Sequence, residues 1–498
     1  MRYILAIDQG TTSSRAILYT EDFEVKGLGQ SPFPQHFPKT DWVEHDLGEL
    51  WTSVTKSVED CLASVKEPTF SKSQIVAIGI TNQRETFGLW NKVSGQPVGR
   101  AIVWQCKRSA DLCDRLRSTP AAKKLASISG LVVDPYFSGT KLRWWLENDR
   151  SVAAQAKAGE LAFGTMDTYL IWKLTKGASH VTDTTNASRT MMMDLRKLSW
   201  SAEALKILKV PMGILPRILP SDAPFGVTRG LGFLPDGIPI CGVLGDQQAA
   251  LFGQECLKEG QAKVTFGTGA FFLLNTGTTP KKTKNGVSTV AWSVKGKTVY
   301  AVEGSVFISG AAVQWLRDGL GIFSKSSEVE TLAANVESSD GVFFIPALSG
   351  LGAPYWAPRA KGLIGGLTRR STKAHLARAT LEAMAASVAD AIEGLARDAK
   401  LRIRTLRVDG GASSNRILLQ HQADLMRTEL FRPKDLESTA RGAAYAAALG
   451  SGLLKRAEDI LGKNVVELRI VPRMKPAESK KIFGLWKSRV RAALKAGF

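Results

Sequence analysis

Asp8-Gln9-Gly10-Thr11-Thr12-Ser13-Ser14-Arg15 is the stretch that decides the fold. Tyr3-Ile4-Leu5-Ala6-Ile7 precedes it and Ala16-Ile17-Leu18-Tyr19 follows, both apolar and β-compatible. Two strands joined by Gly, Thr and Ser make a hairpin whose tip is dense in small donors. Backbone N–H groups at such a tip can converge on an anion, with side-chain hydroxyls and Arg15 adding donors. Asp8 closes the first strand, where a carboxylate can hold a metal ion beside a phosphate. The alternative is an ordinary polar hairpin, which most turns of this composition are.

The same plan returns half a chain later. Ala262-Lys263-Val264-Thr265-Phe266-Gly267-Thr268-Gly269-Ala270-Phe271-Phe272-Leu273-Leu274 is again strand, Gly/Thr turn, strand. Duplication of such a unit predicts two domains of related fold, 1–254 and 255–498, each presenting a small-residue tip to the cleft between them. A third turn, Asp409-Gly410-Gly411-Ala412-Ser413-Ser414-Asn415, follows the short strand Leu406-Arg407-Val408, and its paired glycines let backbone approach a ligand.

Between these turns the chain reads as α/β. Asp46 and Glu49 suggest a capping box ahead of a helix with Leu50, Val54, Val58 and Cys61 on one face. Ile75-Val76-Ala77-Ile78-Gly79-Ile80 is a strand apolar on both faces, and it empties into Thr81-Asn82-Gln83-Arg84-Glu85-Thr86. Polar residues at the end of a buried strand are where open α/β sheets bind ligands. Residues 238–244 form another such strand, ending at Gly245-Asp246-Gln247-Gln248; Asp246 there is either a helix N-cap or a base at a cleft. Asp183-Thr184-Thr185-Asn186-Ala187-Ser188-Arg189 reads as a polar loop, residues 375–400 as a long helix, and residues 440–447 as a small-residue helix.

Composition narrows the class. The 498 residues are 44% hydrophobic and 22% charged, enough for two sizeable soluble cores. No apolar run reaches the ~18 residues of a membrane span, a strand starts almost at the first residue, and the last four residues match no address, so the cytoplasm is expected. The cysteines (Cys61, Cys106, Cys113, Cys241, Cys256) are scattered and unpaired by spacing, as in a reducing compartment, and the histidines are equally dispersed. The net charge of +20 is spread along the chain and is compatible with nucleic acid, an anionic surface, or a basic proteome and an anionic substrate. Its densest cluster, residues 473–495, carries Ile482, Trp486, Val490 and Ala493 at helical spacing, which reads as a packed helix with a solvated basic face rather than a nucleic-acid stripe.

Other nucleotide sites are absent. Gly296-Lys297-Thr298 has Ala291 where a P-loop needs glycine, no G-x-G-x-x-G occurs, and the protein-kinase motifs are missing. Residues 8–15, 81–86, 101–106, 134–141, 245–253 and 350–356 together resemble the FGGY carbohydrate kinase family, within the actin/Hsp70/hexokinase ATPase superfamily. The resemblance runs from about residue 3 to the C-terminal helix. Gln83-Arg84-Glu85 and Trp104-Gln105, taken with residues 245–253, match the branch that phosphorylates glycerol.

That resemblance implies two duplicated ribonuclease H-like (actin-like ATPase) α/β domains with an active-site cleft between them. It implies ATP and Mg²⁺ as cofactors, glycerol as substrate, a homo-oligomer (dimer or tetramer), no nucleic acid and no stable membrane insertion. Carried onto this sequence, Arg84, Glu85, Asp246 and Gln247 bind the hydroxyls, and Trp104, Tyr136 and Phe271 wall the carbons. Asp246 resembles the catalytic base and Asp8 the carboxylate near Mg²⁺. Thr11, Thr12, Ser13, Arg15, Gly267 and Thr268 would surround the phosphates, and Gly310, Gln314, Gly411 and Asn415 the nucleoside side. The roles are chemically apt: glycerol offers three hydroxyls and an apolar C–H face. Adjacent Arg84 and Glu85 point opposite ways in a regular strand, so both reach one ligand only if the chain is irregular there.

Two departures are visible. Relatives inhibited by fructose-1,6-bisphosphate carry Gly-Thr-Arg before the Ile-Pro strand; Pro235-Asp236-Gly237 stands here, without the arginine. The C-terminal helix is also more basic. Two other readings share the ATP parts: a pentulose kinase, which should lack Gln83-Arg84-Glu85 and the aromatic walls, and an actin-like ATPase without a polyol pocket.

Overall fold

The computed structural model describes residues 1–498. The opening hairpin is β1 (Tyr3–Gln9) and β2 (Ser13–Thr20), paired antiparallel with Asp8 opposite Arg15. β3 (Val25–Pro32) extends it beyond β2, and β4 (Ile75–Asn82) lies parallel to β1 on the other side. With β5 (Gly226–Val227) and β6 (Pro239–Gly245) they form a six-stranded sheet in the order β5-β6-β4-β1-β2-β3.

Alternation along β1 and β2 explains why both strands are apolar throughout. Leu5, Ile7, Ala16 and Leu18 pack with Leu50, Val54 and Val58 of α1 (Leu47–Ala63), while Ile4, Ala6, Ile17 and Tyr19 belong to a second core on the opposite face. Asp46 caps α1 by accepting from Gly48 and Glu49 N–H at 2.8 and 3.1 Å. The reciprocal half of the expected capping box does not form, because the Glu49 carboxylate faces His36 Nε2 at 2.7 Å.

The second sheet comprises β7 (Gln261–Phe266), β8 (Ala270–Gly277), β9 (Val287–Val294), β10 (Lys297–Val306), β11 (Thr405–Asp409), β12 (Leu430–Pro433) and β13 (Val466–Ile470). Its order is β9-β10-β8-β7-β11-β12-β13. β7 has an antiparallel hairpin partner on one side and a parallel strand on the other, as β1 does. The repeat read from two Gly/Thr turns is therefore a repeat of sheet topology.

Five helices place the remaining parts: α2 (Asp246–Gly253), α3 (Lys373–Ala399), α4 (Arg416–Met426), α5 (Ser438–Gly450) and α6 (Pro476–Lys495). Leu381, Met384, Val388, Ile392 and Leu395 of α3 are buried in the second core. α6 packs by Trp486, Val490 and Ala493 with Ile482 beside them. α5 crosses over, and Ala440, Ala444 and Ala447 join Ile4, Ala6 and Leu244 in the core under the first sheet. Its contact with α2 is so close that a Cβ on Gly442 would stand 1.9 Å from the Ala249 carbonyl oxygen. All five cysteines are free and buried, and no helix is long and apolar enough to cross a membrane.

Candidate active site

β4 ends at Asn82, and the next residues turn sharply. Thr86 N–H bonds to the Arg84 carbonyl at 2.7 Å, closing a three-residue turn around Glu85, whose φ is +59°. A non-glycine residue in this region is strained. The strain supplies the irregularity that Arg84 and Glu85 need, and both side chains enter one buried charge cluster. Arg84 Nε meets Asp246 Oδ1 at 3.0 Å, while its Nη atoms hold Glu303, with Nη2 at 2.9 Å from Oε1. Arg189 Nε donates to Glu85 Oε1 at 2.6 Å and its Nη2 to Glu303 Oε1 at 3.0 Å.

Asp246 is the reachable end of this cluster. Gly245 occupies the N-cap position of α2 and Asp246 its first turn, which removes the N-cap alternative. Its side chain is 31% exposed against 2% for Arg84, so the cluster opens to the cleft at the aspartate. Burial works against the Glu303 carboxylate, yet Arg189 and Arg84 outweigh it and hold its proton affinity down to about 2. Burial pushes the Tyr136 phenol well up, and Glu85 adds to the effect.

Aromatic rings flank the same place. Trp104 and Tyr136 meet edge to face at 5.6 Å, and Trp104 Nε1 donates to Thr11 Oγ1 at 3.0 Å, tying this wall to the tip of the opening hairpin. Phe271 lies opposite Thr265 and Ser305 in the second sheet, on the face that also carries Lys263 and Glu303.

The hairpin tips differ in their present partners. Gly10 N–H bonds to Ser13 C=O at 3.0 Å, and Thr12 is exposed. Ser13 Oγ accepts from Gln30, and Arg15 is held by Glu437, the residue before α5, and by Gln30 Oε1 at 3.1 Å, so its guanidinium is committed to neighbours. At the second tip, Gly310 N–H bonds to Gly267 C=O at 2.9 Å and Ala311 N–H to Thr268 C=O at 3.0 Å. Gly267, Thr268, Gly310, Gln314, Gly411 and Asn415 all line one cavity of about 530 Å³, with Leu381 and Met384 as apolar lining. That size suits a nucleoside. Gly410, at φ +84°, precedes the lining residue Gly411 and packs on the lining residue Phe266: a Cβ there would stand 2.5 Å from Phe266 O. The Asn415 side-chain oxygen caps α4 through Leu418 N–H at 2.9 Å.

Residues 3–253 match the N-terminal domain of the FGGY family of carbohydrate kinases, and residues 262–451 match its C-terminal domain. The chain belongs to the FGGY family of carbohydrate kinases. It is similar to the glycerol kinase of Bdellovibrio bacteriovorus, 50% identical with 97% of this chain and 98% of that one covered. The glycerol kinase of Myxococcus xanthus is 48% identical, with 99% of each covered. Among solved structures, Plasmodium falciparum glycerol kinase with ADP matches with a TM-score of 0.93 at 31% identity, covering 99% of this chain and 98% of that chain. A xylulose kinase from Lactobacillus acidophilus shares the fold, with a TM-score of 0.87 at 23% identity over 100% of this chain and 99% of that one.

This FGGY kinase builds its site on residues that motif reading passed over. Glu303 and Lys263 are charges set between buried small or apolar neighbours, Val302 and Gly304 for one and Ala262 and Val264 for the other, which is the signal that marks them: a charge in a buried strand needs a partner. Arg189 closes the stretch read as a polar loop. The structure makes that stretch buried, with a one-turn helix at Thr184–Ala187 capped by Asp183. Asn186 exchanges amide hydrogen bonds with Asn82 at 3.0 and 3.1 Å, and Thr185 Oγ1 accepts from Gly245 N–H at 2.8 Å. One segment thus sets the ends of both β4 and β6. Burial and Asp167 raise the Asp183 carboxyl to about 7 while Asn186 and Thr185 donors pull it back.

Proposed function

We infer that this chain transfers the terminal phosphoryl group of ATP to glycerol, giving sn-glycerol 3-phosphate and ADP, the opening step of glycerol catabolism. The observation that carries this reading is the Arg84–Asp246 pair, a buried donor and a partly exposed acceptor beneath the Trp104–Tyr136 wall. The relatives that match over nearly the whole chain are named glycerol kinases.

In this reading Asp246 takes the proton of the attacking terminal hydroxyl. Arg84, Glu85 and Gln247 bind the hydroxyls, and Trp104, Tyr136 and Phe271 pack on the carbons. Thr11, Thr12, Ser13, Gly267 and Thr268 receive the phosphates. Arg15 joins them by exchanging Glu437 for phosphate oxygen. Gly310, Gln314, Gly411 and Asn415 hold the nucleoside. Positioning and charge stabilisation supply most of the acceleration of phosphoryl transfer.

Mg²⁺ suits Asp8. Burial, then the nearby Asp246 carboxylate, raise the Asp8 carboxyl to about 7, so this oxygen donor lacks a sufficient compensating cation. Magnesium characteristically binds through one or two carboxylates and substrate phosphates. When bound it neutralises charge on the transferring phosphates. The division at 254/255, a dimeric or tetrameric assembly and a cytoplasmic location complete the proposal.

ATP consumption measured with glycerol, xylulose, ribulose or no acceptor tests it. Glycerol should stimulate ADP release most. Faster turnover on a pentulose would sink the substrate assignment.

A further inference from the structure

Lys263 is fully buried on β7, and its ammonium reaches across to the first turn of α2. Nζ donates to Gln247 Oε1 and to Thr265 Oγ1, the latter at 3.0 Å. Burial lowers its proton affinity, while the Asp409 and Asp246 carboxylates work to keep it charged. An ammonium donates and cannot accept. The side of the Gln247 amide facing Lys263 must therefore be its oxygen, which leaves the NH₂ end for the cleft.

Resting on the glycerol reading above, we propose that Lys263 is a positioning residue that fixes Gln247 as a hydrogen-bond donor to the polyol, so the substrate atom at that position must be an acceptor. Asp246, an acceptor, stands next to it in sequence. The pair then presents opposite hydrogen-bonding polarity to neighbouring substrate atoms, which a hydroxylated chain satisfies and an ammonium does not. Both sheets contribute: Gln247 follows β6 of the first, and Lys263 lies on β7 of the second. The polarity is complete only when the two halves are docked.

The test uses the full chain with ATP and three acceptors at neutral pH: glycerol, 3-amino-1,2-propanediol and 2-amino-1,3-propanediol. The wild type should favour glycerol by about 100-fold or more, because a donor facing a donor leaves both unpaired. Lys263→Met frees the amide to rotate. It should raise KM for glycerol about tenfold, leave KM for ATP within about twofold, and cut the discrimination against one amine about tenfold. Lys263→Arg should restore discrimination. Gln247→Glu, which accepts but cannot donate, should weaken glycerol while improving turnover of an amine, and it remains informative if Lys263→Met does not fold. Unchanged discrimination in both Lys263→Met and Gln247→Glu would overturn the proposal. No glycerol turnover by the wild type would instead overturn the reading beneath it.

Discussion

Replacing Asp246 by asparagine keeps the side-chain shape and removes the charge that Arg84 Nε meets at 3.0 Å. Loss of a general base typically costs 10²–10⁴-fold in rate. Phosphorylation should fall by about that much while ATP binding, followed by calorimetry, stays within a few-fold. Glu303 is a different kind of residue, since it compensates two buried guanidinium groups at once. Glu303→Gln should destabilise the protein by about 3–5 kcal/mol, as removal of one partner from a buried ion pair does. Its pH signature has a definite sign. The folded-state value lies near 2, below the ordinary 4.5, so the carboxylate's contribution is present above pH 4.5 and is lost as pH falls toward 2. Denaturation midpoints measured from pH 6 downward should drop less steeply for Glu303→Gln than for the wild type. That Arg84, Glu85 and Asp246 gather in one place was legible because they follow the ends of buried strands. Glu303 was not, because its partners lie more than a hundred residues away.

Two elements hold these residues where chemistry needs them. The turn at Glu85 converts opposite-facing neighbours into joint members of one cluster, and residues 183–189 tie the ends of β4 and β6 together. The latter stretch reads as a loop because it is polar; its side chains are instead buried and bond both to one another and to Asn82, Glu85, Ser221 and Glu303. The α2–α5 crossing is a third critical element. Its small residues let the helices pack tightly, and a Cβ on Gly442 would stand only 1.9 Å from the Ala249 carbonyl oxygen. Gly442→Ala must push the helices apart, and overpacking of this kind costs typically 1–3 kcal/mol or more. Urea unfolding should show a lower midpoint, together with weaker glycerol stimulation, because α2 begins with Asp246 and Gln247.

At the scale of the molecule, polar contacts bridge the two halves: Arg84 and Arg189 to Glu303, Lys263 to Gln247 and Gln254 to Asp409 in the interior, and Arg15 to Glu437 where the seam is partly exposed. Arg15 bound to Glu437 predicts a movement. On the proposed role of Arg15, phosphates take the guanidinium and that contact opens, so a non-hydrolysable ATP analogue with glycerol should reduce the radius of gyration measured by X-ray scattering as the cleft closes. An unchanged radius would argue for a cleft already closed. The sequence by itself determined the strand-turn-strand repeat, the α/β class, the two Gly/Thr hairpin tips and the polar ends of the buried strands, because each depends on residues adjacent in the chain and on local periodicity. Only the tertiary structure decided which charges meet, that α5 of the second half covers the first sheet, and that Lys263 faces the Gln247 oxygen. The physical reason is that a buried charge is tolerated only beside its partner, and the partners here are far apart in the chain, Glu303 meeting Arg84 and Arg189 from the opposite half.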